Sequence, residues 1–208
     1  MEKIFELAGE ILKSAVLIMF VPAVLGAAPK YEIAAFAGGC FWCTQPVFEY
    51  LKGVIKVEAG YANGNSETPD YNDYMNKGYV EAVRVTYDPA KVKYSALLDA
   101  YWEQIDPTDQ GGQFVDRGPQ YRPAIFYLND AQKKEAERSR NALARSGKFK
   151  KPVVTEISKY INFFPAEDYH QDYYRKDPFR YNIYRMGSGR DQFIEKTWGK
   201  DAVKKGHK

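Results

Sequence analysis

Residues 31–59, YEIAAFAGGCFWCTQPVFEYLKGVIKVEA, decide how this chain folds. Tyr31 to Ala37 is apolar and short enough for a strand, and Gly38-Gly39 breaks it. A helical stretch follows through Leu51 and stops at Gly53, a residue type favoured at helix C-caps. Val54 to Ala59 reads as a second strand. The segment is thus a strand, a glycine turn, a helix and a strand, with Cys40 where the first strand becomes the helix.

Working outward, Gly60 to Gly78 is a long loop rich in Gly, Asn, Pro and Tyr, and loops of that length are more often functional than idle. Val80 to Tyr87 alternates so that Glu81, Val83, Val85 and Tyr87 share one face, which places a carboxylate in an apolar row. Leu97, Leu98, Tyr101, Trp102 and Ile105 follow helical spacing behind Ser95, a suitable N-cap, and Asp106-Pro107 ends that helix. Thr108 to Tyr121 is a second glycine-rich loop, Arg122 to Leu128 a strand, Asp130 to about Gly147 a helix, and Val153 to Ile157 a further strand. Lys159 to Trp198 is aromatic and basic with no clear period, and it is expected to wrap the domain irregularly. The order of elements matches a two-layer α+β sandwich with a ferredoxin-like, split βαβ core.

A chain of 208 residues fits one domain plus an appendage. The net charge of +3, from 30 basic and 27 acidic residues spread along the chain, argues against a dedicated nucleic-acid binder. Residues 15–25, AVLIMFVPAVL, followed by Gly26-Ala27-Ala28, have the length and small-residue end of a signal peptide, although Glu2, Glu6 and Glu10 offset the lysines expected before it. The run falls short of the roughly 20 residues of a spanning helix. Residues 1–28 are therefore read as a signal peptide and 29–208 as the catalytic domain, with export to the periplasm or medium expected and a cytoplasmic protein as the alternative.

Cys40 and Cys43 are the only cysteines, too few for a disulfide scaffold. A cysteine after two glycines at a helix start meets unpaired N–H groups and the positive end of the helix dipole, which favour thiolate. Cys43 lies one turn on and could cycle with it between dithiol and disulfide. Several chemistries could use Cys-Phe-Trp-Cys. A zinc site needs four ligands, and only His170 and His207 could add to the pair. A thioredoxin-like thiol–disulfide oxidoreductase has the spacing, but Phe41 and Trp42 beside the sulfur suggest a substrate pocket. A cysteine hydrolase would need His170 as its base.

Four motifs in series carry a resemblance: Gly38-Gly39-Cys40-Phe41-Trp42, Gly78-Tyr79-Val80-Glu81-Ala82-Val83, Asp116-Arg117-Gly118-Pro119-Gln120-Tyr121-Arg122, and Pro165-Ala166-Glu167-Asp168-Tyr169-His170-Gln171. Together, over about residues 32 to 185, they resemble the A-type peptide methionine sulfoxide reductases. The resemblance implies reduction of the S epimer of methionine sulfoxide, free or in proteins, by a monomer with no bound cofactor or metal, and thioredoxin or another dithiol as reductant. It makes Cys40 the nucleophile and Glu81 the general acid. Tyr71 and Tyr121 become hydroxyl donors to the substrate oxygen, Asp116 an organiser of the site, and Glu167, Asp168 and His170 its outer support. Tyr79 stands where many relatives have histidine.

The residues suit that role. Phe41 and Trp42 offer an apolar wall for the methyl group, and an apolar surrounding keeps Glu81 protonated near neutral pH. Attack on sulfur leaves Cys40 as sulfenic acid. Met186-Gly187-Ser188-Gly189 has the glycines of a resolving tail without its cysteine, so Cys43 is the resolving candidate. A disulfide within one turn is expected to need local unwinding. The reductant and substrates are the only partners expected, with no membrane association once the signal is removed.

Overall fold

The computed structural model describes residues 31–205; the expected signal peptide, and His207, lie outside them. Strand β1 (Glu32–Ala37) has its last four residues buried and leads through Gly38-Gly39 into α1 (Phe41–Glu49). The helix ends earlier than Gly53, with Tyr50 as its C-cap. Gly53 serves the next turn instead, at φ +106°.

Strand β2 (Val54–Ala62) is longer than its apolar run because it pairs with β3 (Val80–Tyr87) as far as Ala62 opposite Val80. Helix α2 (Tyr94–Glu103) starts after Lys93, whose extended backbone caps it without a side-chain bond, so Ser95 is not the cap. The second glycine-rich loop holds a tight hairpin, β4 (Gly112–Gln113) and β5 (Asp116–Arg117), and a 3₁₀ turn at Pro119–Tyr121.

Strand β6 (Ala124–Tyr127) and α3 (Asp130–Arg145) follow, the helix capped by the Asn129 side chain. Strand β7 (Glu156–Lys159) is displaced toward the C-terminus from the valine run. Val154 N–H bonds to the Pro107 carbonyl at 2.8 Å instead of joining the sheet.

The sheet order is β7-β6-β1-β3-β2-β8, where β8 is Phe163–Pro165. Within it β6, β1, β3 and β2 are mutually antiparallel neighbours, which is the ferredoxin-like arrangement. Strand β7 adds in parallel at one edge, and β8 antiparallel at the other. One face carries the main core, where Phe36 stacks on Phe48, Tyr94 and Tyr101 at 4.9 to 6.1 Å between ring centres. The other face is lined by small residues, Ala35, Ala37, Ala62, Ala82 and Ala124, with Val80 and Phe126.

The C-terminal segment is far more regular than its sequence suggests. It forms α4 (Tyr173–Lys176), α5 (Pro178–Gly187), α6 (Arg190–Trp198) and α7 (Lys200–Lys205). Its inward positions include Arg185 and Arg190, at 0% and 1% exposure, so an apolar periodicity is absent where the helices are buried. Their guanidinium groups converge on Gln104 at the end of α2. Arg185 Nη2 donates to its side-chain oxygen and Arg190 Nη1 to its carbonyl.

Candidate active site

The site forms where β1 ends beside the first half of β3. Phe36 pairs with Val83 and Tyr61 with Glu81, so the turn into α1 falls next to the Glu81 side chain. Gly39 makes that turn at φ +81°, and a Cβ there would lie 2.6 Å from the Gln113 Cβ. Arg190 Nη2 donates to the Gly38 carbonyl at 3.0 Å and holds the turn from behind. Cys40 is the N-cap of α1, with extended backbone (φ −53°, ψ 124°), and its carbonyl accepts from Cys43 and Thr44 N–H.

Glu81 is 2% exposed. Its Oε2 accepts from Phe41 N–H at 2.9 Å and its Oε1 from the Tyr74 hydroxyl at 2.9 Å. Burial pushes this carboxyl up to about 8, against the pull of those two donors. It holds a proton at neutral pH, as the apolar strand face implied.

Cys40 corrects a different expectation. Its thiol is pushed up rather than down, first by burial and then by the nearby Glu81, Cys43 and Asp116 charges, with the Tyr184 hydroxyl opposing them. Burial is the largest of these influences.

A cleft of about 140 Å³ opens over the sulfur, lined by Cys40, Phe41, Trp42, Tyr71, Glu81, Asp116, Tyr121 and Tyr184. All seven residues expected to act on substrate or nucleophile are therefore brought together. Trp42 stacks on Tyr173 with ring centres 3.8 Å apart and 11° between planes, and its Nε1 donates to His170 Nδ1 at 3.0 Å. An indole can only donate, so His170 Nδ1 is unprotonated, and burial holds the ring in its neutral form.

Glu167 accepts from Tyr71 N–H at 2.9 Å and from the Tyr61 hydroxyl at 2.7 Å, which ties the long loop to the sheet. Asp168 contributes otherwise than expected: it lines a separate groove beside α1 and β2, and its carbonyl takes the Lys176 ammonium. Cys43 is fully buried against Tyr174 and Tyr181.

Three aromatic residues were not foreseen. Tyr74 orients Glu81, Tyr173 supports Trp42, and Tyr184 donates to Asp116 Oδ2 at 2.5 Å. Nothing local distinguishes them among 17 tyrosines.

Such a fold, with a shielded acid facing a cysteine across an aromatic cleft, defines a thiol-dependent enzyme acting on a small polar group. The family model described as peptide methionine sulfoxide reductase matches residues 32–202. The chain is 52% identical over 175 residues to peptide methionine sulfoxide reductase MsrA of Bacillus licheniformis, covering 83% of this chain and 97% of that one. It is also 52% identical to the Bacillus subtilis MsrA over 172 residues, covering 82% and 97%.

Among solved structures it is similar to reduced Mxr1 of Saccharomyces cerevisiae (TM-score 0.67, 31% identity, 72% of this chain and 87% of that one). It is likewise similar to methionine sulfoxide reductase A of Corynebacterium diphtheriae (TM-score 0.63, 31% identity, 75% and 81%). Mxr1 has also been solved in complex with Trx2, and that chain is 25% identical at TM-score 0.51, over 73% of this chain and 91% of its own. This chain belongs to the peptide methionine sulfoxide reductases, A type. It is an oxidoreductase that returns methionine sulfoxide to methionine.

Proposed function

We propose that Cys40 is the nucleophile, that Glu81 is the acid serving the sulfoxide oxygen, and that Tyr71 and Tyr121 donate hydroxyl hydrogen bonds to that oxygen. The observation that carries this reading is the buried Glu81, protonated at neutral pH and held by Phe41 N–H and the Tyr74 hydroxyl beside the Cys40 turn. As the Cys40 sulfur bonds to the sulfoxide sulfur, charge builds on the oxygen, where a positioned acid is worth most. The oxygen then passes to the Cys40 sulfur: the substrate S–O bond and the transient S–S bond break, a Cys40 S–O bond forms, the substrate sulfur keeps the electron pair as methionine, and Cys40 is left as sulfenic acid. Glu81 gives its proton to the oxygen and recovers the one lost by the thiol. Phe41 and Trp42 face the methyl group, and the cleft suits the S epimer of a side chain, free or in an oxidised protein.

Cys43 then attacks the Cys40 sulfur. An S–S bond forms, the S–O bond breaks, and the oxygen leaves as water with the thiol proton. Cys40 is the N-cap of α1 and its carbonyl accepts from Cys43 N–H, so bringing the two sulfurs together calls for local unwinding of this first turn. An external dithiol then attacks Cys40, the sulfur at the cleft, and Cys43 is the leaving group. A thioredoxin-like protein fits this step, as the Mxr1 complex with Trx2 suggests. We read the enzyme as a monomer, and residues 1–28 as an export signal removed after Ala28; the N-terminal residue of the protein recovered from its host tests the latter.

The test is thioredoxin-coupled turnover of the S and R epimers of a blocked methionine sulfoxide by residues 29–208 and by Cys43→Ser. Turnover of S alone, lost in Cys43→Ser and restored by dithiothreitol, is expected. Equal turnover of both epimers, or undiminished thioredoxin-coupled turnover in Cys43→Ser, contradicts the corresponding assignment.

A further inference from the structure

Tyr184 has no part in the mechanism above, yet it lines the cleft over Cys40. It comes from α5, its ring stands edge-on to Trp42 at 5.9 Å and 88°, and its hydroxyl donates to Asp116 Oδ2 at 2.5 Å. Cys40 lines the same cleft, and the Tyr184 hydroxyl opposes the upward push on its thiol. A phenol has one proton to donate. Two acceptors therefore compete for it, one a carboxylate and the other the reacting sulfur.

We propose that Tyr184 is a further catalytic residue, whose single hydroxyl proton is shared between Asp116 and the Cys40 sulfur so that Asp116 controls how well the thiolate is stabilised. The proposal rests on Cys40 being the attacking group. With Cys40 as thiol, the hydroxyl points to Asp116. As the thiol loses its proton, rotation about the phenol C–O bond turns the donor to the sulfur, with no movement of the ring.

Several groups face Cys40 from the elements packed on it: Glu81 from β3, Cys43 from α1, Asp116 from β5, and Tyr71 and Tyr121 from the two loops. Glu81 is neutral below about pH 8, and burial holds both loop tyrosines above their usual range. Asp116 is pushed up by burial but drawn back by the Tyr184 hydroxyl and the Arg190 charge. Its carboxyl accepts from the Tyr184 hydroxyl, and any charge on it opposes a thiolate at Cys40.

The experiment is the pH dependence of iodoacetamide alkylation at Cys40, followed on the Cys40 peptide by mass spectrometry. It compares the full chain with Tyr184→Phe, Asp116→Asn and the double variant, each checked by its thermal transition. Tyr184→Phe keeps the ring against Trp42. It is expected to move the alkylation midpoint to higher pH and to slow the reaction at pH 7 about tenfold, the loss of one hydrogen bond to a charged group. Asp116→Asn removes a neighbouring charge and releases the hydroxyl, so it moves the midpoint to lower pH. Most of that shift is expected to vanish in the double variant. A midpoint unmoved by Tyr184→Phe, or an Asp116→Asn shift of equal size with and without Tyr184, overturns the proposal. Turnover by Cys40→Ser is measured separately: if it persists, the nucleophile assignment fails, whereas the alkylation profile reports on Tyr184 in either case.

Discussion

At the scale of single residues, the site works because one carboxyl group is kept from water. Glu81 shares its strand face with Val83, Val85 and Tyr87, all essentially buried, and its two oxygens are used by Phe41 N–H and Tyr74. Turnover should therefore fall as pH rises through about 8, where this acid loses its proton. Tyr74→Phe removes a donor that favours the carboxylate, so the alkaline limb should move to higher pH, by roughly one unit on the scale of a hydrogen bond to a charged group. A pH–rate profile of the variant checks this, and a shift to lower pH would contradict it. Glu81→Gln keeps the shape without the acid and should lower kcat by a factor of about 10² or more, measured with saturating dithiothreitol.

At the scale of elements, the start of α1 is a fixed corner. Gly39 has φ +81°, and an added Cβ would meet Gln113 at 2.6 Å. Gln113 cannot give way easily, since it is fully buried and bonded to the main chain on both sides of Pro107, at Asp106 and Asp109. Gly39→Ala should cost about 1–3 kcal/mol, seen in denaturant unfolding, and should reduce turnover through displacement of Cys40. The corner was legible because a glycine pair between an apolar strand and a helix has few other uses. The C-terminal helices were not legible: Tyr181 and Arg185 are the buried positions of α5, and Arg190 and Ile194 those of α6. Arginine at an inward position breaks the hydropathy pattern by which an amphipathic helix is recognised.

At the scale of the molecule, the C-terminal helices complete the site from behind. Arg190 links α6 to both the Gly38 carbonyl and the end of α2, with its guanidinium 4.6 Å from the Phe114 ring centre. Arg190→Met keeps much of the volume but leaves two buried carbonyls short of a donor. It should destabilise the fold by about 2–4 kcal/mol in thermal or denaturant unfolding, with lower turnover at temperatures where it is still folded. Glu81 also ties global stability to pH. Its folded value near 8 exceeds the ordinary value of 4.5, so the folded state binds the extra proton between them. Stability from this group is complete below 4.5 and is lost as pH rises through about 8. The difference in unfolding free energy between wild type and Glu81→Gln, followed from pH 5 to 9, should thus move against wild type as pH increases. A difference that stays flat would mean that Glu81 ionises normally in the folded state.

By itself the sequence determined the layered α+β fold and its core order, because alternating and helical apolar patterns survive wherever one face of an element meets the core. Its four motifs also held the residues of the cleft other than Tyr71 and Tyr184. Only the tertiary structure decided which tyrosines matter: Tyr74, Tyr173 and Tyr184 act through partners 7 to 131 positions away, and no local pattern encodes such pairings. It also decided which way the Cys40 thiol is pushed. A helix start favours thiolate in any sequence, but the burial that pushes the thiol up comes from the elements that close around the sulfur.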